Sequence, residues 1–157
     1  MKHYRFFVGS AFAAIAYTSL SSAQARGTLP VEACLGATAQ QIENLVEDWN
    51  KAVQTGDPEL VVALYAEQSA LLPTFSARPK LTHDEKIDYF SQFLLLQPVG
   101  RIDSSWVKID CNSALNTGLY TFTLKDGRAI KARYTFTYEY DNDRWKITSH
   151  HSSVVPQ

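Results

Sequence analysis

His150 and His151 stand side by side near the C-terminal end of the chain, in the run Thr148-Ser149-His150-His151-Ser152-Ser153. An imidazole ionises near neutral pH, so either histidine is a candidate general acid or base. A structural histidine, held by one hydrogen-bond partner and securing its segment, accounts for the same residues. If the segment is a strand, the two side chains point to opposite faces, so only one enters a pocket and the pair cannot share a metal. No Cys-x-x-Cys or His-x-x-x-His spacing supplies further ligands. Neither a metal nor a cofactor is expected.

Arg133 is a second candidate. It belongs to the set Arg133, Thr135, Thr137, Glu139, which alternates with Tyr134, Phe136, Tyr138, Tyr140. Facing inward, its planar fork of donors forms an anion receptor with Thr135 beside it. Facing outward, Arg133 and Glu139 belong to a solvated or partner-facing surface, and alternation alone leaves both readings open. Trp49, Tyr65 and Tyr120 are candidates for an apolar lining, although aromatic residues at such spacing also serve as core. With Arg133, Thr135 and His151 they make up the expected ligand pocket, and its ligand is a small organic molecule, anionic if Arg133 receives it.

The elements that must position these side chains follow from capping and periodicity. Thr38 and Gln41 form a capping box, and Ile42, Leu45, Val46, Trp49 and Val53 then mark one apolar helical stripe. Gly56 closes that helix, and Asp57-Pro58 opens a second, with Leu60, Val61, Leu64 and Tyr65 on its buried side. Residues 69–75 read as a brief strand or rim segment. Thr82 and Glu85 repeat the capping box for a third helix, carried by Ile87, Phe90, Phe93 and Leu94 and stopped before Pro98.

From there the period changes from helical to alternating. Residues 101–111, 114–124, 129–140 and 144–153 read as four strands, with tight turns at Lys125-Asp126-Gly127-Arg128 and Asp141-Asn142-Asp143. Helices followed by consecutive antiparallel strands define an α+β fold, with helices on one side of a curled meander. An apolar outer face on such a sheet is expected to be covered by a second copy of the chain.

The N-terminus has a separate logic. Lys2 and Arg5 precede an apolar run over residues 6–20, and Ala23-Gln24-Ala25 then gives the small-x-small pattern of a cleavable signal peptide. Cleavage after Ala25 leaves a loop over 26–36 and one domain over 37–157, in the periplasm or outside the cell. The mature chain keeps 13 basic and 16 acidic side chains, because the leader carries two bases and no acid. Its bases are scattered, which excludes nucleic acid as a partner, and no membrane association is expected after cleavage. In an oxidising compartment Cys34 and Cys111 are expected to form a disulfide, two separate buried thiols being the alternative.

The stretch Asn50-Lys51-Ala52-Val53-Gln54-Thr55-Gly56-Asp57-Pro58-Glu59 and the terminal Arg144-Trp145-Lys146-Ile147-Thr148-Ser149-His150-His151-Ser152-Ser153 with Pro156 resemble the association (hub) domain of calcium/calmodulin-dependent protein kinase II. They resemble still more its stand-alone bacterial relatives in the nuclear transport factor 2-like superfamily. The resemblance spans residues 37–157. It implies a cone-shaped, cystatin-like fold of three helices on a curved antiparallel sheet, assembly into a homodimer or larger oligomer, and no kinase activity. In the hub, pocket arginines bind small carboxylates; Ser152 and Phe136 stand at the aligned positions here, with Arg133 as the substitute. Two functions fit: a non-catalytic binding and self-assembly domain, or a cofactor-free isomerase, cyclase or hydrolase using a pocket histidine as general base.

Overall fold

The structure, a computed structural model, describes Cys34 and residues 36–156. The leader over 1–25 and the expected cleavage point lie outside the described residues. Helix α1 spans Ala39–Gln54 and begins on the Thr38–Gln41 capping box, whose two reciprocal hydrogen bonds are both formed. Gly56 follows at φ 77°, the left-handed conformation that ends a helix without a Cβ penalty. Asp57 then caps α2, Pro58–Val62, through the Glu59 N–H, with Pro58 in the first turn. Helix α3, His83–Phe93, opens on the Thr82–Glu85 box and continues as a 3-10 turn over Leu94–Leu96.

Strands β1 (Tyr65–Leu72), β2 (Val99–Ile109), β3 (Ser113–Thr123), β4 (Ala129–Asp141) and β5 (Arg144–Val154) form one sheet in the order β1-β5-β4-β3-β2. The last four strands make the expected antiparallel meander. The β4–β5 turn places Asn142 and Asp143 at φ 48° and 62°, as a two-residue hairpin turn requires. β1 runs parallel to β5, so the sheet is mixed at one edge. Register shifts between Ile102 and Ser104 and between Thr137 and Tyr138 mark bulges, which bend strands and increase their twist.

Two expectations about the second helix are corrected. Tyr65 starts β1 instead of ending α2, and Leu60 is exposed. Helix α2 has only five residues, so Val61 and Val62 suffice for its buried side and the chain turns extended before Tyr65. The α1 stripe of Ile42, Val46, Trp49 and Val53 is buried against the sheet, while Leu45 packs at its margin. Cys34 and Cys111 are joined in a disulfide that fastens the segment before α1 to the β2–β3 connection. No described helix is long and apolar enough to cross a membrane.

Candidate functional site

Three elements converge on His150. β5 alternates so that His150 and Ser152 face the helices while His151 faces away. Helix α1 brings Trp49 edge-on to the His150 ring, with centroids 5.1 Å apart at 80°. On β4, the cross-strand neighbour Phe136 stacks on it at 3.9 Å and 18°. β1 contributes Tyr65, whose hydroxyl lies 2.8 Å from His150 Nδ1. His150 is 2 % exposed.

The hydrogen-bond chain fixes where the protons sit. Trp49 Nε1–H donates to Tyr65 Oη at 3.1 Å, and an indole N–H can only donate. Tyr65 has one proton of its own, and His150 Nδ1 is the acceptor within reach. His150 Nδ1 therefore accepts, and a neutral His150 carries its proton on Nε2. That nitrogen is buried without a hydrogen-bond partner. Burial, with a smaller contribution from the charge of neighbouring His151, lowers the His150 pKa to about 3, so the ring is neutral at ordinary pH. Desolvation likewise raises the Tyr65 hydroxyl well above its usual range, offset in part by the Trp49 hydrogen bond.

A second polar group lies one strand repeat away. Tyr120 on β3 donates to Ser152 Oγ at 2.6 Å. Thr74, in the connection after β1, shares a 2.6 Å hydrogen bond with the same Ser152 oxygen, either hydroxyl donating. Three hydroxyls bring three protons, and these two bonds use two of them. One proton remains on Ser152 or Thr74.

Both groups line a cavity closed by Leu71, Phe90, Phe93, Phe122, Ile130 and Ala132. Its enclosed space is about 20 Å³, room for roughly one water. A wider groove of about 390 Å³ lies outside it, between α3 and the connection after β1, and includes Lys80, Asp88 and Gln92. Phe75, Tyr89 and Phe93 belong to both spaces and form the wall between them. Tyr89 and Phe93 stack at 12°, and Phe75 leans on Phe93 at 6.3 Å. No charged side chain lines the inner cavity.

The sequence-predicted residues divide accordingly. Trp49 and Tyr120 line the cavity, and Tyr65 stands behind His150. Arg133, Thr135 and His151 do not reach it, which corrects their place in the expected pocket. On β4 the aromatic set Tyr134, Phe136 and Tyr138 is buried and Arg133 is exposed. A strand that buries its aromatic face must turn the intervening residues outward, and His151 follows because it pairs with Thr135. Thr135 shares a hydrogen bond with Thr117 on that outer face. An anionic ligand received by Arg133 in the cavity is therefore withdrawn.

The outer face also departs from expectation. Trp106, 61 % exposed, stands there with Val99, Leu115 and Leu119 among threonines and charged groups, since the aromatic ladder points inward. Thr74, Phe75 and Phe93 also line the cavity, as does Ser152, which aligns with a pocket arginine of the hub. Ser152 was readable as the same-face neighbour of His150 at spacing two; Thr74 lies outside any regular element and gave no periodic signal. Among the described residues no cluster of three or more His, Cys, Asp or Glu is placed to hold a metal.

The model of the calcium/calmodulin dependent protein kinase II association domain matches residues 38–156. The chain belongs to that family. Its fold agrees with a candidate association domain of the same kind from Xanthomonas campestris, at 38% identity and a TM-score of 0.74, covering 83% of this chain and 94% of that one. A nuclear transport factor 2-like protein from Pseudomonas putida KT2440 superposes with a TM-score of 0.69 at 19% identity, over 79% and 91% of the two chains. A candidate ketosteroid isomerase from Parabacteroides distasonis does so at 0.65 and 20%, over 76% and 89%. At such identities these last two share the fold of this association domain. No curated protein sequence matches it.

Proposed function

We propose that this association domain is exported, assembles with itself, and binds a small organic molecule without transforming it or acting as a kinase. The observation that carries the reading is a cavity walled by aromatic and aliphatic side chains and lined by His150, whose Nε2 is buried without a hydrogen-bond partner. An unsatisfied buried polar atom costs stability, and a bound partner removes that cost. Membership in the association-domain family supports self-assembly. The Cys34–Cys111 disulfide supports an oxidising compartment, in keeping with a leader cut after Ala25.

What favours binding over catalysis is the state of the histidine. A general base needs a free lone pair and a pKa near the working pH. His150 already holds its proton on Nε2, its other nitrogen is engaged by Tyr65, and burial makes the ring a poor base. A protonated Nε2 is suited to donating a hydrogen bond.

The test is to express the full chain with its own leader, fractionate the cells, and weigh the soluble exported protein by native mass spectrometry. A product beginning at Arg26, oligomeric, and carrying an extra mass lost on denaturation is expected. A product that keeps Met1 in the membrane fraction overturns export, and a bare monomer overturns both assembly and binding.

A further inference from the structure

The inner cavity contains proton donors that are not used and no charge. His150 lines it, and its Nε2–H is buried without a partner. The Tyr120–Ser152–Thr74 set holds one proton more than its two internal bonds consume. Ser152 lies two residues from His150 on the same face of β5, Thr74 is bonded to it, and all three line one cavity, so the donors address one occupant. The rest of the lining is Trp49, Pro73, Tyr89, whose hydroxyl meets the Phe75 backbone, and Phe, Leu, Ile and Ala side chains.

We propose that the cavity receives an uncharged carbonyl compound, such as a ketone, ester or lactone, with its oxygen toward His150 Nε2–H and the spare hydroxyl of Ser152 or Thr74. This rests on the binding reading above and adds the chemical class of the ligand. A carbonyl oxygen accepts two hydrogen bonds and brings no proton. Water would bring two protons of its own into a largely aromatic enclosure. A carboxylate would be buried with no cation among the lining residues, at a desolvation cost that two neutral donors do not offset. An ammonium would meet donors where it needs acceptors.

The dimensions place the two ends of the ligand. The enclosed space of about 20 Å³ fits the oxygen end, and the groove of about 390 Å³ fits an apolar body. Between them lie Phe75, Tyr89 and Phe93, so the body passes between these rings as the oxygen enters. Phe75, more than half exposed, is the ring of the wall with most room to swing.

The experiment uses the exported protein labelled with ¹⁵N-histidine and three probes of similar shape: acetophenone, ethylbenzene and benzoate. Long-range ¹H–¹⁵N spectra should show His150 as the neutral Nε2–H tautomer, and acetophenone should shift Nε2. By calorimetry acetophenone should bind about tenfold more tightly than ethylbenzene, the effect of one well-made hydrogen bond, with benzoate weakest. His150→Phe should abolish the preference for acetophenone over ethylbenzene, and Ser152→Ala should reduce it if the first variant does not fold. A neutral Nδ1–H tautomer, equal affinity for acetophenone and ethylbenzene, or benzoate as the tightest probe overturns the proposal while leaving small-molecule binding in place. If none of the three binds and a trapped water remains on Nε2, the binding reading falls and the proposal with it.

Discussion

Asn50 and Gly100 exchange two hydrogen bonds: the Asn50 amide donates to the Gly100 carbonyl at 2.8 Å, and the Gly100 N–H donates to Asn50 Oδ1 at 3.0 Å. The pair pins buried Asn50 of α1 to the start of β2. A Cβ on Gly100 would stand 2.5 Å from Asn50 Oδ1 and 3.1 Å from the Phe122 ring. Gly100→Ala is therefore expected to lower stability by about 1–3 kcal/mol through overpacking. Asn50→Ala, which strands both Gly100 groups, should cost on the order of 2 kcal/mol. Urea unfolding measures both, and an unchanged midpoint in Gly100→Ala would show that α1 has room to shift.

The buried His150 predicts an acid-sensitive fold. Its folded pKa of about 3 lies below the ordinary value of 6.5, so the unfolded chain binds a proton that the folded chain refuses. Stability is full above about pH 6.5 and falls as the pH drops toward 3, by about 1.4 kcal/mol per unit once the unfolded histidine is charged. Between pH 7 and pH 5 the loss should be on the order of 2 kcal/mol. His150→Phe should flatten this window, whatever its own stability. Glu85 and Asp126, both lowered by backbone hydrogen bonds, act below the ordinary carboxylate range and leave the upper window to His150. Equal slopes in the two proteins above pH 5 would refute the assignment.

Cys111→Ser should cost about 2–5 kcal/mol in the oxidised protein. The bond closes a loop of 77 residues in sequence separation, where the entropic stabilisation from a cross-link is near its largest. Alkylation of the unreduced, denatured protein should label neither cysteine. Labelling of both cysteines sinks the prediction.

Trp106 is expected to be an anchor of self-assembly. It is the most exposed aromatic residue on the outer face of β2, beside Thr117 on β3. Trp106→Glu should convert the oligomer to a smaller species by light scattering at unchanged fold, since the side chain makes little use of the protomer's own core. An identical mass for the variant places the interface elsewhere.

Much of this architecture was readable before any coordinates. Both capping boxes, the Gly56 stop and the Asp-Gly and Asn-Asp turns are local chemistry, decided within a few residues, and they stand where the sequence put them. The site was less legible because its partners are distant in sequence: Tyr65 meets His150 across 85 positions and Thr74 meets Ser152 across 78. Arg133 shows the limit of alternation. The pattern separated two faces correctly, and it was the burial of Tyr134, Phe136 and Tyr138 in the common core, with Phe136 against Trp49 of α1, that decided which one turned inward. A sum of apolar area over the two sets would have pointed the same way.

The disulfide has a topological consequence for the mouth of the cavity. The covalent ring from Cys34 to Cys111 encloses α1, α2, β1, α3 and β2, and with them the exposed connection over residues 73–81 that carries Thr74 and Phe75. A protease that cuts this connection opens the chain without releasing a fragment. The two pieces stay linked through sulfur and through the sheet, so the nicked domain migrates as one species until a reductant is added. Damage at this connection is thus confined to it, and the domain can lose one wall of the cavity while keeping its frame.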